Sequence, residues 1–114
     1  MKTSFQVLLN MLVFGMNPQE ALDAPRYLVG SGHLSAYGDV KLEAGIAEAV
    51  VDVLRERGHE VRGQVTGHER AVFGRGQIIA CREFWNESRA TCANPKRVLW
   101  AASDPRSDGC AIGY

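Results

Sequence analysis

Residues 14–20 read FGMNPQE, and two helices are predicted to meet there. Gly15 can adopt the left-handed conformation that commonly ends a helix. Asn17 is a favourable N-cap, Pro18 suits the first helical position, and Glu20 stands where it completes a capping box. This stretch therefore predicts one helix that stops at Gly15 and a second that starts after Asn17, with a compact corner between them.

The segments on either side of this corner extend the prediction. Upstream, residues 5–14 are apolar nearly all round, which predicts a buried helix. Downstream, Pro25 ends the second helix near Asp23, because the residue before a proline disfavours helical geometry. Residues 27–38 contain three glycines and are predicted to form an irregular connection.

The rest of the chain predicts one more helix among several short strands. A helical period begins at Ile46, and Gly58 follows as its stop. The apolar face of this helix is formed by Ile46, Val50, Val53 and Leu54. Strands are predicted at 40–43, 61–65, 77–81, 97–102 and 110–114, with a polar loop at 84–96 and a turn at 104–109. The second of these strands alternates with polar residues and is predicted to be exposed. Strands 77–83 and 97–103 pair most simply as antiparallel neighbours, which gives an α+β fold with flanking helices.

Composition narrows the class of protein. A chain of 114 residues suits a single domain, residues 1–114. Its 13 basic and 13 acidic side chains cancel, so it lacks the basic excess that a nucleic-acid partner would require. No apolar run reaches the ~18 residues of a membrane span. Asn10 interrupts the first apolar run, and Pro25 after Ala24 is a poor cleavage context, so a signal peptide is not predicted. The sequence does not indicate the cellular compartment of the protein.

Charge is distributed unevenly along the chain. Residues 1–60 hold five Lys and Arg against eight Asp and Glu, whereas residues 61–114 hold eight against five. The first part therefore carries a net charge of −3 and the second a net charge of +3. Because opposite charges attract across a folded interface, we interpret this asymmetry as two halves of one domain that face each other.

Two groups of residues could suggest catalysis. Thr3 and Ser4 could act as a nucleophile if processing after Lys2 released them, but no supporting motif surrounds them. Asp104, Arg106 and Asp108 form the second group, and their spacing does not fit a calcium loop. We interpret the second group as a turn in which Arg106 pairs with a carboxylate.

The cysteines, histidines and glycines give no metal or phosphate motif. Cys81, Cys92 and Cys110 form no CxxC pair, and we interpret them as buried neutral thiols. The histidines do not stand at metal-ligand spacings with them, and His59 follows a helix stop, where a surface position is expected. The sequence from Gly74 to Gly76 is too short for a phosphate loop. We therefore predict no metal site and no cofactor.

Four segments and the ending resemble the gamma-glutamyltranspeptidase family, which is also called glutathione hydrolase and includes related cephalosporin acylases. The segments are residues 14–26, 40–43, 54–61 and 74–79, and the ending comprises residues 102–109 with Gly113 and Tyr114. They occur in the family's order over nearly the whole chain, and residues 84–96 are the least recognisable. A single matching segment would be weak evidence of a resemblance. Several segments in the family's order identify the chain as similar to the C-terminal part of the family's small subunit.

The resemblance implies part of an N-terminal-nucleophile hydrolase fold (αββα), in which helices flank two antiparallel sheets. In this family one precursor cuts itself in two and exposes a threonine at the start of the small subunit. The threonine hydroxyl attacks a gamma-glutamyl amide, and its own free amine acts as the base. Backbone amides at a glycine pair form the oxyanion hole. The acyl group then passes to water or to an amino acid.

The chain departs from the family pattern at the residues that carry out catalysis and bind substrate. It lacks the threonine pair followed by histidine that carries the nucleophile, and it lacks the substrate-binding residues of the family. The oxyanion glycines are expected just upstream, and a substrate-binding arginine belongs to the large subunit. We therefore expect a scaffolding segment with no catalytic, substrate-binding or metal-binding residue of its own, from a truncated gene, a partial gene model or a split enzyme. Its partner would be the missing nucleophile-bearing segment or the large subunit.

A second hypothesis belongs to another class of protein. The chain could be a stand-alone, non-catalytic binding or regulatory module that associates with itself or with a full-length relative. Strands and helices built for a larger sandwich would then present unpaired edges and an apolar face. Such a module should cover these surfaces by association, so its oligomeric state distinguishes the two hypotheses.

Overall fold

The computed structural model describes residues 3–30, 39–81 and 98–112. Within these ranges the helices are α1 (Thr3–Leu12), α2 (Pro18–Asp23), α3 (Glu48–Glu56) and a 3-10 helix (Gly67–Phe73). The strands are β1 (Tyr27–Val29), β2 (Asp39–Glu43), β3 (Glu60–Val65), β4 (Gln77–Cys81) and β5 (Leu99–Ser103). No helix in this part of the chain is long and apolar enough to cross a membrane. The predicted loop at 84–96 lies outside the described residues.

The corner between α1 and α2 forms as predicted. The Asn17 side-chain oxygen accepts hydrogen bonds from the backbone N–H groups of Gln19 and Glu20, each at 2.9 Å. Glu20 Oε2 in turn accepts from Asn17 N–H at 2.9 Å, which completes the capping box. Gly15 has φ +68°, and Met16 N–H returns to Asn10 O at 3.0 Å, which closes the preceding helix.

The first sheet has the order β1-β2-β3. β1 pairs antiparallel to β2, with Tyr27 opposite Leu42. Residues 27–29 are therefore a strand, and the predicted irregular connection is wrong there because these residues supply the edge partner for β2. β2 and β3 run parallel, since α3 carries the chain back between them. β3 is mostly exposed, as its alternation predicted.

α3 packs one stripe against this sheet. Val51 is buried with Val40 and Leu42 in the core, and Leu54 and Ile46 pack around them. The predicted face was wrong for Val50 and Val53, which are exposed, and it missed Val51. Each helical residue turns about 100°, so a stripe through Val51 and Leu54 directs both of the other valines away from the sheet.

The second sheet consists of β4 and β5, which pair antiparallel as predicted, with Ile78 opposite Ala102. α2 packs on β5, where the Gln19 amide donates to Ser103 O at 3.0 Å and accepts from Ser103 N–H at 3.3 Å. Residues 110–112 are not a strand, which corrects the prediction. They follow the turn at 104–107, which leads the chain out of the sheet, and all three are exposed.

α1 is oriented differently from the prediction of a helix buried all round. Its single buried residue is Gln6, whose side-chain amide donates to Tyr27 O at 2.6 Å and accepts from Tyr27 N–H at 3.1 Å. Asn10 Nδ2 likewise donates to Ala21 O at 3.5 Å. The free edge of β1 needs hydrogen-bonding partners, so the polar side of α1 faces the protein body and the apolar side faces outward.

Candidate functional site

Four ionised side chains lie together in the interior and form what we call the charge cluster. Its members are Arg26, Glu43, Asp104 and Arg106, each 7% exposed or less. Arg70, which is partly exposed, contacts Glu43 from the margin. Buried charges persist only when they are paired and hydrogen-bonded, so the geometry of these pairs decides whether the cluster stabilises the fold.

Three distant pieces of chain bring the cluster together. Arg26 follows the proline that ends α2, and Glu43 is the last residue of β2. Asp104 and Arg106 lie in the turn directly after β5, which is closed by a hydrogen bond from Ser107 N–H to Asp104 O at 3.2 Å. The cluster therefore joins both sheets and the helical corner at one point.

Arg106 has every guanidinium nitrogen engaged. Its Nε donates to Glu43 Oε1 at 2.8 Å, and its Nη2 contacts Glu43 Oε2, so the pair is bidentate. Nη1 donates to Leu22 O at 2.7 Å and to Asp104 Oδ1 at 3.1 Å. Nη2 also donates to Ala24 O at 3.1 Å. Arg106 thus pairs with two carboxylates and donates to the carbonyls of Leu22 and Ala24 at the end of α2, and Leu22 O also accepts from Arg26 Nη2 at 3.1 Å.

Arg26 holds the opposite side of the same cluster. Its Nη2 lies 2.8 Å from Asp104 Oδ2, and its backbone N–H donates to Glu43 Oε2 at 2.9 Å. Its Nη1 donates to Gly74 O at 3.2 Å, which ties the chain before β4 to α2. Asp104 Oδ2 accepts a further bond from Gly76 N–H at 2.9 Å. Both carboxylates are therefore saturated with donors.

These contacts set the protonation of the cluster. Burial by itself would raise the pKa of Glu43, but hydrogen bonds from Arg106, Arg70 and the Arg26 backbone outweigh it, and the pKa is lowered. Burial would also raise the pKa of Asp104, and bonds from Arg106 and Arg26 lower it instead. Burial would lower the pKa of Arg106, yet its two carboxylate partners raise it. Glu43, Asp104 and Arg106 are therefore ionised at neutral pH.

We expect the free energy of unfolding to be constant between about pH 6 and 8 and to fall below about pH 4.5. Glu43 and Asp104 have lowered pKa values in the folded state, whereas unfolded carboxyls titrate near 3.9–4.3. Their stabilisation is therefore present above the unfolded values and is lost as the pH falls through the folded ones. Each carboxyl contributes a slope of up to about 1.4 kcal/mol per pH unit. Denaturant unfolding between pH 3 and 8 measures this, and Glu48→Gln on exposed α3 should leave the curve unchanged. A profile that stays flat to pH 3 would contradict it.

A groove of about 740 Å³ runs between α1 and β4. Its lining includes Val7, Met11, Leu22, Ile78 and Ile79, together with Thr3, Ser4, Arg26 and Arg75. Thr3 fits there because Gly74 has no side chain: a Cβ on that glycine would lie 2.9 Å from Thr3 Oγ1. Among the residues that the structure describes, no base is hydrogen-bonded to the Thr3 hydroxyl. Thr3, which the sequence singled out as a nucleophile candidate, therefore lines this groove without a hydrogen-bonded base among the described residues.

The structure separates the other residues that the sequence singled out. Arg106 pairs with carboxylates in a turn, as predicted, but Asp108 is exposed. Cys110 is also exposed and Cys81 is partly so, which corrects the prediction of buried thiols for both. Cys92 lies outside the described residues. Across 3–30, 39–81 and 98–112, no three His, Cys, Asp or Glu side chains are grouped to hold a metal ion.

Sequence reasoning did not identify Glu43 or Arg26 as members of a site. Glu43 ends a short alternating strand and has no local partner in the sequence. The usable signal was the charge asymmetry, because Glu43 in the acidic part meets Arg70 and Arg106 from the basic part. The interpretation that the two halves face each other agrees with these contacts.

A sequence profile described as gamma-glutamyltranspeptidase matches residues 1–114. The chain is 27% identical over 112 residues to the glutathione hydrolase-like YwrD proenzyme of Bacillus subtilis, covering 98% of this chain and 19% of that protein. It is 29% identical over 113 residues to the oxamate amidohydrolase proenzyme of Klebsiella pneumoniae, covering 99% of this chain and 19% of that protein. The chain thus spans about a fifth of the length of these relatives.

Solved structures of other proteins have a similar fold. A cephalosporin acylase from Bacillus halodurans superposes with a TM-score of 0.67 at 31% identity, covering 98% of this chain and 18% of that chain. A gamma-glutamyltranspeptidase from Pseudomonas nitroreducens gives a TM-score of 0.65 at 24% identity, covering 98% of this chain and 48% of that chain. The fold of this chain is therefore part of a larger fold in these structures.

Proposed function

Because the chain belongs to the gamma-glutamyltranspeptidase family, we propose that it is the carboxyl-terminal scaffold of an enzyme of this type. Its fold is part of the N-terminal-nucleophile hydrolase fold. The observation that carries the proposal is the family match over all 114 residues, on a chain that spans only 19% of each of two proenzyme relatives. The nucleophile would then lie in polypeptide outside these residues.

The scaffolding role would rest on the charge cluster. Arg106 and Arg26 connect α2, the end of β2 and the turn after β5 through bonds of 2.7–3.2 Å. A cluster with this many bonds resists displacement, because moving any one member leaves a buried charge unpaired. It would thereby hold α1 and β4, whose groove includes Arg26, in one fixed relation.

The chemistry of the complete enzyme would need that rigidity. The resemblance implies a threonine hydroxyl that attacks a gamma-glutamyl amide, with oxyanion stabilisation from backbone amides just before α1. Small displacements of such groups reduce rates strongly, because reacting atoms must stay within about 3–3.5 Å. The contribution of this chain would be to fix the direction of α1 and so the position of those amides.

The chain alone should therefore not hydrolyse a chromogenic gamma-glutamyl anilide above the buffer rate. The assay compares wild type with Thr3→Ala, since Thr3 is one of the two hydroxyl side chains that the sequence singled out and that line the groove. We expect both proteins to be inactive. Reproducible activity that Thr3→Ala abolishes would contradict the proposal, because the nucleophile would then lie within this chain.

A graft tests the scaffolding role directly. The matching fifth of the Bacillus subtilis YwrD proenzyme is replaced by this chain, and self-cleavage into two subunits is followed by gel electrophoresis. We expect cleavage in the graft and loss of cleavage when it carries Arg106→Ala. Arg55→Ala on exposed α3 is the matched control and should be cleaved like the unmodified graft. A graft that is folded by circular dichroism yet stays uncut would contradict the role.

A further inference from the structure

The side chain of Gln6 joins α1 to the edge of the first sheet. Gln6 is 8% exposed and is the only buried residue of α1. Its Nε2 donates to Tyr27 O at 2.6 Å, and its Oε1 accepts from Tyr27 N–H at 3.1 Å. The Gln6 amide therefore occupies both backbone groups of one β1 residue, as a neighbouring strand would.

Two bonds from one amide restrict both the rotation and the axial position of α1. Each residue of an α-helix advances about 1.5 Å along the axis and turns by about 100°. A slide of α1 by one residue would therefore direct Gln6 away from Tyr27 and break both bonds. Asn10 lies about one turn later on the same side and donates to Ala21 O at 3.5 Å. These contacts hold α1 at two points about 6 Å apart along its axis.

The partner of Gln6 is held in place by the charge cluster. Tyr27 follows Arg26, whose backbone N–H donates to Glu43 Oε2 at 2.9 Å. The Arg26 carbonyl accepts from Glu43 N–H, also at 2.9 Å. Tyr27 itself lies opposite Leu42 in the pairing of β1 with β2. A continuous series of bonds therefore connects the cluster to α1 through Tyr27 and Gln6.

We propose that Gln6 is a positioning residue of the enzyme that this chain would complete. This inference rests on the proposed function, in which backbone amides just before α1 stabilise the oxyanion. Gln6 lies three residues after Thr3, the first residue of α1, or about 4.5 Å along the axis. At the helix radius of about 2.3 Å, a turn of about 20° moves the backbone entering the helix by about 0.8 Å. A displacement near 1 Å can lower a rate about 100-fold.

The expected kinetic signature is a fall in kcat at a nearly constant KM. Oxyanion donors contact an oxygen whose charge develops in the transition state, so their displacement acts on the chemical step. Because we expect no substrate-binding residue in this chain, losing the Gln6 bonds should change KM little. A general loss of stability would lower the amount of folded enzyme and would not single out Gln6.

Hydrogen exchange on the chain alone tests the contact itself. Gln6→Met keeps an unbranched side chain with good helix propensity but removes the amide. Gln19→Met is the matched control, because the Gln19 amide makes the same pair of bonds to Ser103, between α2 and β5. We expect Gln6→Met to speed exchange of the Tyr27 amide at least about 10-fold and to leave that of Ser103 unchanged, with the reverse for Gln19→Met. Equal exchange of the Tyr27 amide in wild type and Gln6→Met would overturn the proposal.

Kinetics in a complete enzyme test the positioning role. The host is the glutathione hydrolase proenzyme of Escherichia coli, in which this chain replaces the matching 16%. Glutathione hydrolysis is measured after self-cleavage. We expect Gln6→Met to lower kcat about 10–100-fold with KM changed less than about 3-fold, whereas Gln19→Met keeps both within about 2-fold of the unmodified graft. Loss of self-cleavage in Gln6→Met but not in Gln19→Met would equally support the role.

The remaining outcomes separate this proposal from the proposed function. A cleaved and active graft in which Gln6→Met leaves kcat unchanged overturns the positioning role alone. Equal losses of kcat in Gln6→Met and Gln19→Met overturn it as well, because a general loss of stability would then explain both. An unmodified graft that is folded by circular dichroism yet stays uncut contradicts the proposed function, and the positioning role falls with it.

Discussion

Arg106→Ala is expected to lower the free energy of unfolding by about 3–5 kcal/mol. The substitution leaves Glu43 and Asp104 buried, removes the bidentate partner of Glu43, and removes one of the two guanidinium partners of Asp104. It also removes the hydrogen bond from Arg106 to Ala24 O and one of the two hydrogen bonds that Leu22 O accepts, the other coming from Arg26 Nη2 at 3.1 Å. Small domains are stable by only about 5–15 kcal/mol, so the loss would remove a large part of the total. Guanidinium unfolding at pH 7 is the measurement.

Two matched variants separate the cluster from a general effect of removing an arginine. Arg70→Ala removes a partly exposed side chain that contacts Glu43 from the margin, and it should cost about 1 kcal/mol or less. Arg106→Lys keeps the charge but cannot bind Glu43 in a bidentate manner, so its cost should fall between the two. If Arg106→Ala and Arg70→Ala lowered the free energy of unfolding equally, the buried ion pairs of Arg106 would contribute no more stability than the partly exposed contact of Arg70.

Local signals predicted the parts of the fold that local interactions determine. The corner at Asn17 formed as expected, because its cap uses residues only three positions apart. The pairing of β4 with β5 followed from two adjacent apolar strands. The local sequence could not predict which side of α1 or of α3 faces the rest of the protein. The edge of β1 attracts Gln6 of α1, and the sheet selects the stripe of α3 that contains Val51.

The candidate site could be predicted only in outline. Arg106 was expected to pair with a carboxylate in its turn, and it does so with Asp104 at 3.1 Å. Its stronger partner is Glu43, 63 residues earlier in the chain. No spacing rule connects positions that far apart, because tertiary packing alone brings them together. The only sequence signal for that contact was the excess of acidic residues in residues 1–60 and of basic residues in residues 61–114.

The second large effect is expected at Phe73, the largest fully buried side chain among the described residues. Phe73 ends the 3-10 helix and precedes Gly74, whose carbonyl accepts from Arg26. Phe73→Ala removes a buried ring that its surroundings can only partly refill, at a cost of about 3–5 kcal/mol. Val72→Ala is the control, since Val72 is 46% exposed one position earlier, and it should cost under about 1 kcal/mol.

The position of Phe73 also predicts coupling between the core and the charge cluster. Arg70 lies in the same 3-10 helix and contacts Glu43, so the ring and the ion pair both depend on how that helix sits. A double-mutant cycle with the mild changes Phe73→Leu and Arg70→Ala should give an interaction energy above about 0.5 kcal/mol. Values that add within about 0.3 kcal/mol would mean that the 3-10 helix docks independently of the cluster. In that case the rigidity that we assign to the scaffold would have to come from Arg26 and Arg106 alone.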